Sequence, residues 1–172
     1  NSGWIPAWGE LDIGRNNFVL TPDPGASGAS AFLDGTRDWD TYSFDASLNW
    51  KDGYFLLLAD VINSKTYHTC AFGEGLVRIQ KVEDGVTTTL AESRDEHIVY
   101  GEDTRAGIRV HDAVIECTWD YKSILETYER SHAGGIGIQT WNPEAGASTL
   151  QVSEILVRPY ASTSTESIKQ EE

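Results

Sequence analysis

Residues 40–60, DTYSFDASLNWKDGYFLLLAD, constrain the fold more than any other stretch of this chain. Their first half alternates: Tyr42, Phe44, Ala46, Leu48 and Trp50 share one parity, and Thr41, Ser43, Asp45, Ser47 and Asn49 share the other. Successive side chains of a strand point to opposite faces, so this is a long strand with one buried face. Lys51-Asp52-Gly53 supplies turn residues. The second half, Tyr54 to Ala59, is apolar at both parities, as expected of a strand buried on both sides. A hairpin joining a half-wet strand to a buried one predicts a two-layer β structure.

The remainder supports an all-β chain. Asp84-Gly85 between Val82 and Val86 is the strongest hairpin signal. His111-Asp112 predicts a tight turn between strands around Ile108 and Ile115, and Gly134-Gly135 precedes a strand at Ile136. The parity of the last strand breaks between Val152 and Ile155, which predicts a bulge near Ser153-Glu154. Residues 91–103 are polar and predict a loop. Residues 121–132 predict a short helix or a long loop, and Trp4, Trp8 and Trp39 fall in turn-like sequence. About a dozen short strands with frequent turns predict an antiparallel two-sheet β-sandwich of jelly-roll type. The sandwich is expected to span residues 1–160. Residues 161–172, Ser/Thr-rich and then charged, are expected to form a disordered linker or tail.

Composition narrows the function. The 172 residues suffice for one domain with its own core. With 27 acidic against 13 basic residues the formal net charge is −14. That balance disfavours a nucleic-acid backbone or an anionic membrane as partner. No apolar run is long enough to form a membrane-spanning helix. The sequence lacks Met, so the expectation is a processed piece of a longer protein. Cys70 and Cys117 are expected to form one disulfide, the alternative being two inert core thiols.

Several segments, taken in order, carry a family resemblance: AFLDGTRDWDTYSFDASLNW, GYFLLLADVINSKTYHTCAF, GLVRIQKVEDGVTTTLAES, GIRVHDAVIECTW and GGIGIQTWNPEAGASTLQVSEILVRPY. Together they cover residues 31–160. This order resembles the concanavalin A-like, laminin G-like jelly-roll domains appended to bacterial extracellular carbohydrate-active proteins such as polysaccharide deacetylases. The resemblance implies a secreted or cell-surface protein and a neighbouring domain in the same polypeptide. It also implies a polysaccharide or oligosaccharide partner; no cofactor is expected, the alternative being calcium with Asp34, Asp38, Asp40 and Asp103 as candidate ligands by chemistry, although none of them forms a spaced calcium loop. Where members of that family carry an Arg and an Asp-x-x-Asn-Tyr pattern, this chain has Asp60, Asn63 and Thr66.

The residues announce no catalytic motif. Glycosidases on this fold resemble one another in an E-x-D-x-x-E run; Glu10/Asp12 and Asp38/Asp40 are acidic pairs without a third acid in register. His68, Cys70, Cys117 and His111 lack zinc-site spacing. The four histidines, His68, His97, His111 and His132, sit among many serines without a recognisable triad motif. Aromatic rings stack on sugar C–H faces, and polar side chains bond the hydroxyls. On that basis Trp119, Tyr121, Trp141, Arg78, Arg109 and Asp60 are the candidate ligand-binding residues. Arg78 and Arg109 lie between apolar neighbours and so point to the faces of their strands opposite those neighbours. The reading is a non-catalytic carbohydrate-binding module. The alternatives are a jelly-roll glycoside hydrolase or polysaccharide lyase, and a structural or protein-interaction domain.

Overall fold

The computed structural model describes residues 3–15, 17–144 and 149–159. The expected tail at residues 161–172 lies outside them. The described residues form fourteen strands and no helix. In chain order these are β1 (Trp4–Trp8), β2 (Glu10–Gly14), β3 (Asn17–Thr21), β4 (Gly28–Leu33), β5 (Tyr42–Trp50), β6 (Tyr54–Asn63) and β7 (Thr66–Gly73). There follow β8 (Leu76–Glu83), β9 (Val86–Arg94), β10 (Gly101–His111), β11 (Val114–Trp119), β12 (Lys122–Thr127), β13 (Gly135–Trp141) and β14 (Leu150–Pro159). The first sheet has the order β1-β4-β13-β6-β7-β8-β9, and the second β12-β11-β10-β5-β14-β3-β2. All pairings are antiparallel. The chain is a two-sheet jelly-roll sandwich, as expected.

The 40–60 stretch differs from the expected hairpin in an informative way. β5 sits in the middle of the second sheet and β6 in the middle of the first. Lys51-Asp52-Gly53 therefore arches over the edge of the core instead of pairing its flanking strands. Gly53 takes a φ of 57°, and the Trp50 indole N–H donates to the Asp52 carbonyl at 3.0 Å. Alternation reports which face of a strand is buried, not which sheet the strand joins, so sequence pattern cannot separate an arch from a hairpin. Trp50 and Phe55 face each other across the core with ring centroids 5.0 Å apart.

The inner faces make one continuous core that includes Phe44, Leu48, Trp50, Phe55, Leu57, Phe72, Ile79, Ile108 and Ile138. β6 is apolar at both parities because its outer face also carries buried residues. Leu56 and Leu58 pack there with Tyr67, Ala71 and Val82 of β7 and β8 in a second, smaller cluster. This outer cluster becomes the floor of the candidate site below.

Local signals behave as their chemistry predicts. Asp84 and Gly85 both take positive φ in the two-residue β8–β9 turn. Asp112 does so between β10 and β11, and β14 shifts register between Val152 and Glu154. Three expectations are corrected. Residues 91–103 are mostly strand, with only the segment between β9 and β10 left as loop. Residues 122–127 form an edge strand, and Trp4 and Trp8 bound β1, another edge strand. Edge strands are exposed on more than one side, so their sequences lack the apolar alternation that marks a half-buried strand. β1 contains Pro6, and its register with β4 shifts between Pro6 and Trp8.

Cys70 of β7 and Cys117 of β11 form a disulfide, with Cα atoms 5.8 Å apart, that ties the first sheet to the second through the core. The sequence left buried thiols open as the alternative; both cysteines are fully buried and bonded.

Candidate functional site

The outer face of the first sheet carries a trough of roughly 650 Å3. Its floor is built from alternate residues of the central strands: Leu56 of β6, Tyr67, Thr69 and Ala71 of β7, Gln80 and Val82 of β8, and Gln139 of β13. These are outward because their strand neighbours Phe55, Leu57, Cys70, Ile79 and Ile138 fill the core. Tyr54, Arg78 and Trp141 form one wall, and Trp8 and Lys65 also line the trough. Hydrogen bonds hold the polar floor groups. Tyr67 Oη lies 3.4 Å from Gln139 Oε1, Gln80 Nε2 donates to Thr89 Oγ1 at 3.3 Å, and Thr69 Oγ1 donates to the Leu57 carbonyl at 3.0 Å.

The aromatic wall is partly exposed. Trp141 is 37% exposed, and its ring lies 5.6 Å from that of Tyr54. The Arg78 guanidinium lies over the Tyr54 ring at 5.8 Å, and its Nε donates to Glu92 Oε1 at 2.5 Å. That hydrogen bond raises the Arg78 pKa above its ordinary value. Tyr54, Arg78 and Trp141 also line a second hollow with Asp52, Glu74, Tyr100 and Glu144. The two depressions therefore meet at these three side chains.

The six residues expected from the sequence separate in space. Trp141 and Arg78 meet in the trough. Trp119 turns inward, with its ring 5.8 Å from Phe72 and 6.2 Å from Trp50. Arg109 is on the outer face of the second sheet, opposite Ser43 and Glu116, because its neighbours Ile108 and Val110 fill the core from that sheet. Tyr121 is exposed at the β11–β12 turn, where its hydroxyl accepts a 2.5 Å hydrogen bond from Arg105 Nη1. Sequence parity does not distinguish Arg78 from Arg109, since it sets the face of a strand but not the sheet to which that face belongs. Tyr54, Tyr67, Gln80 and Gln139 lie outside the residues expected from the sequence. The alternation of β7 and β8 contained the signal for two of them, once the inward parity of Cys70 and Ile79 is known.

Asp60 occupies a different environment. It sits in the bulge of β6 with φ of 56° and no solvent exposure. Its Oδ2 accepts from His68 Nδ1 at 2.7 Å and Arg130 Nε at 3.0 Å, and its Oδ1 accepts from Arg130 Nη2 at 2.8 Å. Arg130 also donates to the carbonyls of Asp40 and Asp112. Tyr42 completes this plug: its hydroxyl accepts from Asp60 N–H at 2.9 Å and lies within 3.0 Å of the Gly134 and Gly135 carbonyls. Burial, reinforced by the Asp60 charge, pushes the Tyr42 phenol far above its ordinary value, so it remains a donor. Ser131 and His132 flank His68 on the outer side.

Among the described residues, no group of three or more His, Cys, Asp and Glu side chains is arranged to hold a metal ion. Of the calcium candidates, Asp40 lies 3.7 Å from Arg130 Nη1. No family model matches the sequence, and no curated protein matches it either. Solved structures do. A carbohydrate-binding module, CBM66 from Bacillus subtilis, superposes with a TM-score of 0.74 at 13% identity, covering 91% of this chain and 96% of that one. The fold is a concanavalin A-like jelly roll. The VIP36 exoplasmic/lumenal domain in its Ca2+/Man3GlcNAc-bound form matches with a TM-score of 0.66 at 12% identity, over 92% of this chain and 84% of that one. A prokaryotic beta-1,3-1,4-glucanase (lichenase) from a mouse hindgut metagenome matches at 0.66 and 9% identity, over 93% and 95%. Identities this low establish shared architecture, and function must come from the site.

Proposed function

We propose that this chain is a non-catalytic carbohydrate-binding domain that seats a glycan in the trough on the outer face of the first sheet. The observation that carries the reading is the partly exposed Trp141–Tyr54 wall beside a floor of uncharged hydrogen-bonding groups. A sugar ring lays its C–H face on the aromatic wall, while Gln80, Gln139, Tyr67 and Arg78 bond its hydroxyls. The trough volume falls in the range of small-ligand sites. Among the described residues its lining contains no Asp or Glu, whereas glycoside hydrolysis generally needs two carboxyl groups across the scissile bond. The likeness to a carbohydrate-binding module and a mannose-type-ligand complex supports the same reading.

The disulfide supports placement in an oxidising compartment, hence an exported or cell-surface protein. Tethering to a neighbouring domain would raise a weak single-site affinity. The test is a glycan array followed by calorimetry on the best ligand, using wild type, Trp141→Ala, Tyr54→Ala and Arg109→Ala. The first two variants are expected to bind roughly fivefold more weakly, and the Arg109 variant, altered on the opposite face, is expected to bind as wild type does. Absence of any glycan signal from the folded wild type defeats the reading. Release of reducing ends in the same incubations would transfer it to a hydrolase.

A further inference from the structure

We propose that Ser131 is an activated nucleophile, a site that accepts the acyl group of a reactive ester. None of the residues involved lines the trough, so the inference stands apart from glycan binding. Ser131 Oγ lies 3.2 Å from His68 Nε2, and His68 Nδ1 lies 2.7 Å from Asp60 Oδ2. Nucleophile, base and orienting carboxylate therefore stand in hydrogen-bond sequence, the arrangement that activates a serine hydroxyl. The His68 and Asp60 side chains are fully buried, whereas Ser131 is exposed. The base is thus held rigidly behind a reachable hydroxyl.

The tautomers follow from the partners. The Asp60 carboxylate accepts, so His68 Nδ1 carries the proton and the Nε2 lone pair faces Ser131. The Ser131 N–H also points to Nε2, at 3.5 Å. His132 Nε2 donates to the Asp60 carbonyl at 2.9 Å, which turns the His132 Nδ1 lone pair toward the same Ser131 Oγ at 3.2 Å. One hydroxyl proton thus faces two imidazole acceptors. Arg130 grips both Asp60 oxygens, fixing the carboxylate plane while offsetting part of its charge.

In the step, the Ser131 Oγ lone pair forms a bond to the ester carbonyl carbon, and the hydroxyl proton passes to His68 Nε2. The bond from that carbon to the leaving oxygen then breaks. Its electron pair stays on the leaving oxygen, which takes the proton from Nε2. The products are acyl-Ser131 and the free alcohol. Positioned general-base assistance gives about 10²–10⁴-fold, which is the advantage expected for Ser131 over an ordinary exposed serine.

The test treats the folded protein with p-nitrophenyl acetate and, separately, with a fluorophosphonate, and maps adducts by peptide mass spectrometry across pH 5–8. The expected result is an adduct on Ser131 forming at least 100-fold faster than on Ser123. Its rate should fall in acid as imidazole protonates, and the adduct should vanish in Ser131→Ala. His132→Gln then identifies the base: an unchanged rate assigns the transfer to His68. Ser131→Ala removes only an exposed side chain, and an unaltered melting curve verifies that it folds. No adduct on Ser131, one formed no faster than on Ser123, or a rate that does not change with pH would each overturn the proposal.

Discussion

Reducing the Cys70–Cys117 bond should cost the sandwich a predictable amount of stability. The cross-link spans 47 residues of chain and joins β7 in one sheet to β11 in the other. In the chain-entropy description, closing a loop of that length stabilises the folded state by about 4 kcal/mol at 25 °C. For a domain of this size each kcal/mol moves the melting temperature by about 2–4 °C, so the expected loss is about 8–16 °C. Both cysteines are fully buried, so reductant reaches them only when the sandwich opens. The protein should therefore be unfolded, reduced, and refolded under reductant before calorimetry. Comparison with Cys70→Ala/Cys117→Ala separates the cross-link from the packing of the sulfurs, since reduction keeps both sulfur atoms in the core. The reasoning fails if the reduced protein, refolded with both thiols titrated as free, melts within about 2 °C of the oxidised one. That outcome would mean the unfolded chain is already as restricted without the bond as with it.

Other outcomes follow from the site and the plug. Trp141→Ala should weaken glycan binding by about 1 kcal/mol, roughly fivefold, with an unchanged melting temperature; titration calorimetry and a thermal scan check both. Arg130→Ala leaves the fully buried Asp60 carboxylate without its bidentate partner and should cost about 3–5 kcal/mol in denaturant unfolding. A Gly135→Ala side chain would collide with Thr36, so about 1–3 kcal/mol of stability should be lost there. Burial, and then the neighbouring His68, lower the His132 pKa below its ordinary value of 6.5. Between the two pKa values the unfolded chain binds the extra proton, so stability rises with pH there. The contribution is complete above pH 6.5 and fades as pH falls toward the folded value. A pH series of melts should show that acid loss diminished in His132→Gln.

The fold was more legible in the sequence than the site, for reasons that particular residues make plain. Alternation in β5 and doubly apolar β6 announced two layers, and Asp84-Gly85 announced its hairpin. These signals are local, set by side-chain direction and by which residues tolerate positive φ. The arch at Asp52-Gly53 was invisible because sheet membership is a long-range property. The same limit kept Arg78 and Arg109 indistinguishable. Asp60 drew notice only as a departure from the family pattern; its partners lie 8 residues away at His68 and 70 away at Arg130. No spacing rule brings Ser131 to His68 across 63 positions. β12 escaped notice because an edge strand has little core to face, so Lys122, Ser123 and Glu126 interrupt its pattern.

The register shift in β1 has a consequence for how copies of this chain behave in a crowded solution. A sheet that ends in free N–H and C=O groups can be extended by a strand from another molecule. β1 ends the first sheet. There Pro6 removes one donor, and the irregularity before Trp8 breaks the run of evenly spaced groups that a newcomer would need. At the opposite margin, β9 carries Glu92 and Arg94, and the second sheet finishes on β2 with Glu10 and Asp12 and on β12 with Lys122 and Glu126. The margins are made unattractive to strand addition, so the long apolar β6 and β7 remain shielded at the centre of the sheet.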